Sequence, residues 1–246
     1  MKLYKISIPK RKLRSLTERE LLFLVQMGSI LNEVNALERL IFLSYKSPDN
    51  QIELKAQKYQ SFFLLLLLIG KLWEIWRLLQ NLYFKGQLSK EYESYLPQEG
   101  KDSLEYIKNY YSKKGAWLKR VRDKISFHYD LDSLRKEIDK MPDDAEFEMY
   151  LSEDQGNSLY ISSGALTMFT LLECIGDYMD PEYALKTYFS ELGDLTKNLI
   201  VFFNYCMMCI GIKNKWDENI LEEVEIPDPP DIKDFCMPYF LKNPNN

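Results

Sequence analysis

The sequence predicts a mainly α-helical protein: a helical bundle of about five to six helices, with one β-hairpin insertion and an extended acidic C-terminal tail. Apolar residues recur at helical spacing over long stretches of the chain. The 246 residues include only 10 glycines and 10 prolines, too few turn residues for many short strands. Acidic residues and prolines gather after Trp216, which is typical of an extended segment.

Each predicted helix rests on an apolar period together with a start or stop signal. Thr17 to Glu20 forms a capping box before the first long apolar run. Gly86 is a predicted helix stop, and Asp180 followed by Pro181 is a predicted helix start. The predicted helices span about 17–45, 52–84, 101–127, 132–140, 163–178 and 181–213.

A change of period separates the helices in the second half of the chain. Residues 146–151 and 158–162 alternate polar and apolar side chains around a turn sequence, Asp154 to Asn157, which predicts a β-hairpin. We therefore expect one helical domain over residues 1–216, with a hairpin insertion at about 146–162. Residues 217–246 are the acidic, proline-containing tail.

Composition limits the classes of protein and of partner. The formal net charge of −5 excludes a uniformly basic surface for nucleic acid but allows a local basic patch. No signal peptide is recognisable, and the most apolar run, residues 62–69, is shorter than the ~20 residues of a membrane span. We expect a cytoplasmic protein with no membrane partner. Its four cysteines, including Cys206 and Cys209, are expected to be reduced and mostly packed in the core.

The only histidine, His128, lies in an unusual basic segment of this acidic chain. Histidine exchanges a proton near neutral pH, and an arginine such as Arg122 stabilises negative charge on phosphorus. RNA supplies its own nucleophile, the 2′-hydroxyl, so this pair suggests metal-free RNA cleavage, in which a symmetric dimer would provide a second histidine as the acid. On an ideal helix the two side chains lie about 120° apart, so they converge only if the helix ends or distorts before His128 or if a dimer joins them.

The same segment predicts a surface for RNA. Cations pair with phosphates, and interleaved rings such as Trp117, Tyr110 and Tyr111 stack on bases. Aromatic residues at helical spacing are also typical of a core, and a charged run is also typical of a solvated face, so both interpretations stay open. The candidate RNA-binding residues are Lys113, Lys114, Lys119, Arg120 and Lys124.

Arg122, Asp123 and His128 together resemble the Rx4–6H motif of the HEPN superfamily, in which a polar residue commonly follows the arginine. The resemblance covers this helix closely and residues 17–141 loosely. It implies a dimeric, metal-independent endoribonuclease of the kind found in phage defence and toxin–antitoxin systems, without a cofactor. Arg122 and His128 would be its catalytic pair and Asp123 a polar support. Some members carry a tyrosine two residues after the histidine, whereas this chain has Asp130 there.

Two other classes of function remain open from the sequence. The first is a non-catalytic interaction or scaffold protein that binds RNA, nucleotide or a protein partner such as an antitoxin. The second is a sensor of small ligands within the aromatic-rich bundle. No phosphate-binding loop, dinucleotide-binding motif or zinc-protease motif is found in the sequence, and no metal site is expected.

Overall fold

The computed structural model describes residues 1–44, 48–123, 130–154, 156–175, 181–216 and 221–242. Within these ranges the protein is a helical bundle with one small sheet, and the mainly α-helical prediction is confirmed. The elements are β1 (Lys2–Ile6), α1 (Lys10–Leu13), α2 (Glu18–Ser44), α3 (Gln51–Leu78), a π-helix (Leu79–Phe84), α4 (Leu88–Tyr92), α5 (Gln98–Val121), α6 (Leu131–Asp139), α7 (Ile161–Ile175), α8 (Pro181–Lys213), β2 (Leu221–Glu225) and a 3-10 turn (Ile232–Asp234).

The predicted capping box starts α2. The backbone N–H of Glu20 donates to Thr17 Oγ1 over 3.2 Å, and the N–H of Thr17 donates back to Glu20 Oε2 over 2.6 Å. Two backbone donors that the first helical turn leaves without carbonyl partners are thereby satisfied. The local sequence therefore determines where α2 begins.

The helix predicted over residues 52–84 is continuous but changes type near its end. Regular α geometry ends at Leu78, and the π-helix Leu79–Phe84 follows. The chain then turns through Gly86 and through Gln87, whose φ of 69° is left-handed. A Cβ atom on Gly86 would overlap the carbonyl oxygen of Leu82, so the close approach explains the glycine.

The hairpin predicted at residues 146–162 is reduced to a single antiparallel bridge. Tyr150 and Leu159 exchange two backbone hydrogen bonds of 2.7 Å each. The predicted second strand is cut short because α7 already begins at Ile161. The helical spacing of apolar residues after Ile161 favours a helix more strongly than the short alternating pattern before it favours a strand.

The sheet that does form pairs the two distant ends of the chain. β1 and β2 are antiparallel, with Tyr4 opposite Glu223 and Lys5 opposite Glu222. Ion pairs join the strands, from Lys2 to Glu223 at 2.6 Å and from Lys5 to Glu222 at 2.9 Å. Part of the segment predicted as an extended acidic tail is thus a paired strand.

The fold divides into two compact units. Unit 1 comprises Met1–Glu33, Glu74–Lys113 and Gly193–Asp231, and unit 2 comprises Val34–Trp73, Lys114–Leu192 and Ile232–Asn246. Phe23, Tyr83 and Phe202 lie at the centre of unit 1, where the Tyr83 ring is 5.7 Å from Phe23 and 5.1 Å from Phe202. The fully buried side chains of unit 2 include the aliphatic residues Val34, Leu65, Ile69, Leu118 and Leu171.

The last described residues, Ile232 to Lys242, form a segment that we call the C-terminal strap, and it packs on unit 2. The backbone N–H of Met237 donates to the carbonyl of Leu43 over 2.9 Å. Tyr239 donates to the carbonyl of Ser158 over 3.0 Å, and Asn157 exchanges two hydrogen bonds with Leu241. The strap therefore covers the turn between Tyr150 and Leu159.

One described stretch, Thr187–Lys213 in α8, is long and apolar enough to cross a membrane. Half of its most apolar window is buried inside the protein, and residues such as Leu195, Leu199, Phe202 and Cys206 are buried at helical spacing. Such burial is typical of a core helix, although length and composition alone do not distinguish it from a membrane span.

Candidate nucleic-acid interface and catalytic residues

Helix α5 positions the candidate residues. The side chains of Leu104, Ile107, Tyr111, Leu118 and Val121 are buried at helical spacing and form its inner face. The opposite face is polar and becomes basic toward its C-terminal end. Cations are favourable there because the carbonyl ends of the helix carry partial negative charge.

Arg122 and Asp123 lie directly after α5, where the backbone takes up a π conformation. Arg122 Nη1 is 2.9 Å from Asp123 Oδ1. The arginine side chain is 29% exposed and the aspartate side chain 40% exposed, so both remain open to solvent on one side. The side chains of Arg122 and Asp123 therefore form an ion pair, and their predicted catalytic roles stay predictions.

His128 and Lys124 lie outside the described residues, so their predicted roles stay predictions. Regular α geometry ends at Val121, and α6 begins anew at Leu131. The side chain of Asp130 caps α6, accepting from Ser133 N over 3.4 Å and from Ser133 Oγ over 2.8 Å. The predicted relation between Arg122 and His128 therefore stays a prediction.

The candidate RNA-binding residues differ in what surrounds them. Lys113, Lys119 and Arg120 are exposed. Lys114 is half-buried: its Nζ lies 3.1 Å from Glu191 Oε2 and 5.5 Å from the centre of the Tyr188 ring. Lys114 is therefore engaged within unit 2, and its predicted contact with RNA stays untested.

The aromatic residues of this helix belong to the core. Tyr111 stacks on Trp76, with ring centres 4.4 Å apart and an interplanar angle of 8°. Trp117 packs against Tyr188 at 5.3 Å. Because these rings and Tyr110 are buried, the core interpretation of their helical spacing holds and the base-stacking interpretation does not.

A buried polar cluster in unit 1 was not singled out from the sequence. Glu20, only 2% exposed, accepts hydrogen bonds from Thr17, from Tyr92 and from Lys213 Nζ at 3.3 Å. Burial raises the pKa of Glu20, but these hydrogen bonds lower it by more, so the pKa lies below its ordinary value of 4.5. Burial and the contact with Glu20 raise the pKa of the Tyr92 hydroxyl. The capping box was the only signal of this cluster in the sequence.

The cysteine pair of α8 is poorly suited to chemistry. Cys206 and Cys209 are free and buried. Burial raises the pKa of both thiols above the ordinary value, and that of Cys206 by a wide margin, so the reactive thiolate is disfavoured. Within the described ranges, no three or more His, Cys, Asp or Glu side chains form a group that could hold a metal ion.

No protein-family profile, curated protein or solved structure matches this chain. The residues at the end of α5 are therefore the candidates for function.

Proposed function

We propose that the protein is a metal-independent endoribonuclease of the HEPN type that uses Arg122 and His128, with Asp123 as support. The observation that carries the proposal is the position of Arg122, held by Asp123 where α5 ends. The exposed Lys119 and Arg120 at the same helix end supply charge for phosphates. We place the protein in the cytoplasm, acting in defence or stress response, as a homodimer and without a cofactor.

The reaction would be an internal phosphoryl transfer. The 2′-hydroxyl oxygen attacks the adjacent phosphorus as His128 removes its proton, and the bond from phosphorus to the 5′-oxygen breaks. The guanidinium of Arg122 stabilises the charge on the phosphorane. The 5′-oxygen takes up a proton, which leaves a 2′,3′-cyclic phosphate and a 5′-hydroxyl end. A second copy of the site in a dimer would supply a separate acid, because one histidine cannot be base and acid at once.

The test is cleavage of total RNA by the purified protein in the presence of EDTA. We expect His128→Ala and Arg122→Ala to reduce the rate at least about 100-fold. Arg122→Lys keeps the charge but loses the planar fork, so it should restore only part of the rate. Arg11→Ala replaces an exposed arginine elsewhere on the chain and is the matched control.

Each variant must first show the far-ultraviolet circular dichroism of the wild type. Cleavage that persists unchanged in both His128→Ala and Arg122→Ala would remove the catalytic assignment. Sedimentation velocity on the same samples measures the proposed dimer.

A second candidate function is a non-catalytic interaction protein that binds RNA, nucleotide or a protein partner. It is favoured by the ion pair that already engages Lys114 and by the burial of Trp117. In that case RNA would bind without being cut. Its affinity would fall uniformly when Lys119 or Arg120 is replaced by alanine and would be unaffected by His128→Ala.

A further inference from the structure

The segment from Glu146 to Leu151 forms one bridge and leaves its other edge open. Two of its even-numbered residues bond toward the start of α7: Tyr150 pairs with Leu159, and Glu148 donates its N–H to Ser162 Oγ over 2.7 Å and accepts from Ser162 N over 3.2 Å. Successive residues of an extended chain direct their backbone groups to opposite edges. The backbone groups of the odd-numbered residues are therefore directed to the other edge.

The odd-numbered residues of this segment are apolar and exposed. Phe147 is 50% exposed, Met149 49% and Leu151 73%. Among the residues that the structure describes, none donates or accepts a backbone hydrogen bond with these three. An apolar face beside unpaired N–H and C=O groups is the combination that pairs with an added strand.

Acidic side chains stand at both ends of this edge. Asp143, Asp144 and Glu146 precede it, Glu153 follows it, and all four are exposed. Two lysines near this segment are engaged in ion pairs: Lys55 pairs with Glu148 at 2.9 Å, and Lys140, which precedes the segment, pairs with Glu137 at 2.6 Å. An added strand with basic ends would therefore meet complementary charge.

A second copy of the same segment does not meet that requirement. In an antiparallel pair centred on Met149, the end of one copy that carries Asp143, Asp144 and Glu146 would lie beside the end of the other copy that carries Glu153 and Asp154. Like charges that face each other across strands are destabilising, so the acidic ends oppose self-pairing.

From these observations we infer that Phe147–Leu151 is a docking edge for a separate polypeptide. The partner would add an extended strand whose apolar residues alternate and whose ends carry lysine or arginine. Main-chain hydrogen bonds at Phe147, Met149 and Leu151 supply affinity, and the acidic ends select the partner. This interaction is independent of the ribonuclease proposal, since none of its residues belongs to that site.

The test uses a fluorescein-labelled peptide of alternating valine and threonine with two lysines at each end. Its affinity for the full chain is measured by fluorescence anisotropy, beside a matched peptide with glutamate at the ends. We expect the lysine-ended peptide to bind at least about tenfold more tightly and to weaken in high salt. It should also slow hydrogen exchange at the amides of Met149 and Leu151.

Met149→Pro is the decisive variant. Proline removes the N–H on the open edge and leaves the hydrogen bonds of Tyr150 in place, and the preceding extended residue tolerates it. Binding should fall at least about tenfold in Met149→Pro and persist in the matched variant Met149→Val. Equal binding by the two variants, no binding of the lysine-ended peptide, or self-association that Met149→Pro abolishes would each overturn the inference.

Discussion

Replacement of Glu20 by alanine tests how much the buried polar cluster stabilises unit 1. Without the carboxylate, Thr17 loses its capping partner at the start of α2, which costs about 1 kcal/mol. The buried hydroxyl of Tyr92 loses its acceptor, which costs about 1–3 kcal/mol. The side chain of Lys213 is 42% exposed, so the loss of its ion pair with Glu20 costs less than about 1 kcal/mol. We expect a total loss of about 2–4 kcal/mol in the free energy of unfolding.

The assay is urea unfolding followed by circular dichroism at pH 7. Glu18→Ala is the matched control, because Glu18 is an exposed acid in the same helical turn and should change stability by less than about 0.5 kcal/mol. A loss below about 1 kcal/mol for Glu20→Ala would refute the reasoning, since the cap alone accounts for that amount.

The dependence of stability on pH provides a second measurement of the same cluster. The folded-state pKa of Glu20 is lowered from 4.5, so its charged form stabilises the fold. That contribution is fully present above the unfolded pKa and is lost as the pH falls through the folded pKa. The difference in stability between the wild type and Glu20→Gln should therefore be constant near neutral pH and shrink below about pH 4.5.

Three further predictions concern packing and charge. Gly86→Ala should lower the free energy of unfolding by about 2–3 kcal/mol, because the added Cβ would overlap the carbonyl of Leu82. Gly28→Ala is the matched control: a Cβ there meets open space, so the change should raise the free energy of unfolding by about 0.5–1 kcal/mol. The melting temperatures of the two variants test this, and equal shifts would contradict the close approach at Gly86. Ile75→Ala removes a fully buried side chain and should cost about 2–5 kcal/mol in urea unfolding, and a near-neutral result would mean that the site is not core. Lys5→Ala breaks an exposed ion pair with Glu222 and should lower the free energy of unfolding by less than about 1 kcal/mol. The loss should be smaller in high salt, and a loss above about 1 kcal/mol would show that the small sheet depends on this ion pair.

The elements predicted well from the sequence are those with local signals. The capping box at Thr17 marks the start of α2, Pro181 starts α8, and Lys213 ends it as predicted. The helix predicted over residues 132–140 is α6, shifted by one residue to Leu131–Asp139. Caps, prolines and apolar periods act within a few residues, so one sequence is sufficient to locate them.

The features that were missed depend on distant partners or on small energy differences. β1 pairs with β2, so that Lys2 lies opposite Glu225, and a local sequence pattern cannot predict a pairing partner so far along the chain. The apolar pattern of α3 continues into the π-helix at Leu79–Phe84, so the sequence did not distinguish the two types of helix. The alternation near Tyr150 indicated a hairpin, but tertiary context favours α7 and leaves one bridge.

The candidate catalytic site stays a prediction, because His128 lies outside the described residues. Arg122 and Asp123 were chosen for their chemistry, and the structure brings their side chains together. The sequence left Trp117 open between core packing and base stacking, because helical spacing does not distinguish a ring in a core from a ring in a binding groove; its burial favours the core. Lys114 was chosen for its charge, and its pairing with Glu191 depends on a helix far along the chain.

The pairing of β1 with β2 also determines when unit 1 can be completed during synthesis. The partner of Ile6 is Leu221, so β1 leaves the ribosome long before the strand that it needs. At about 5–20 residues per second, the delay is on the order of ten seconds or more. During that time the exposed edge of β1 is open to other nascent chains, and its lysines, Lys2 and Lys5, discourage such pairing until the glutamates of β2 arrive.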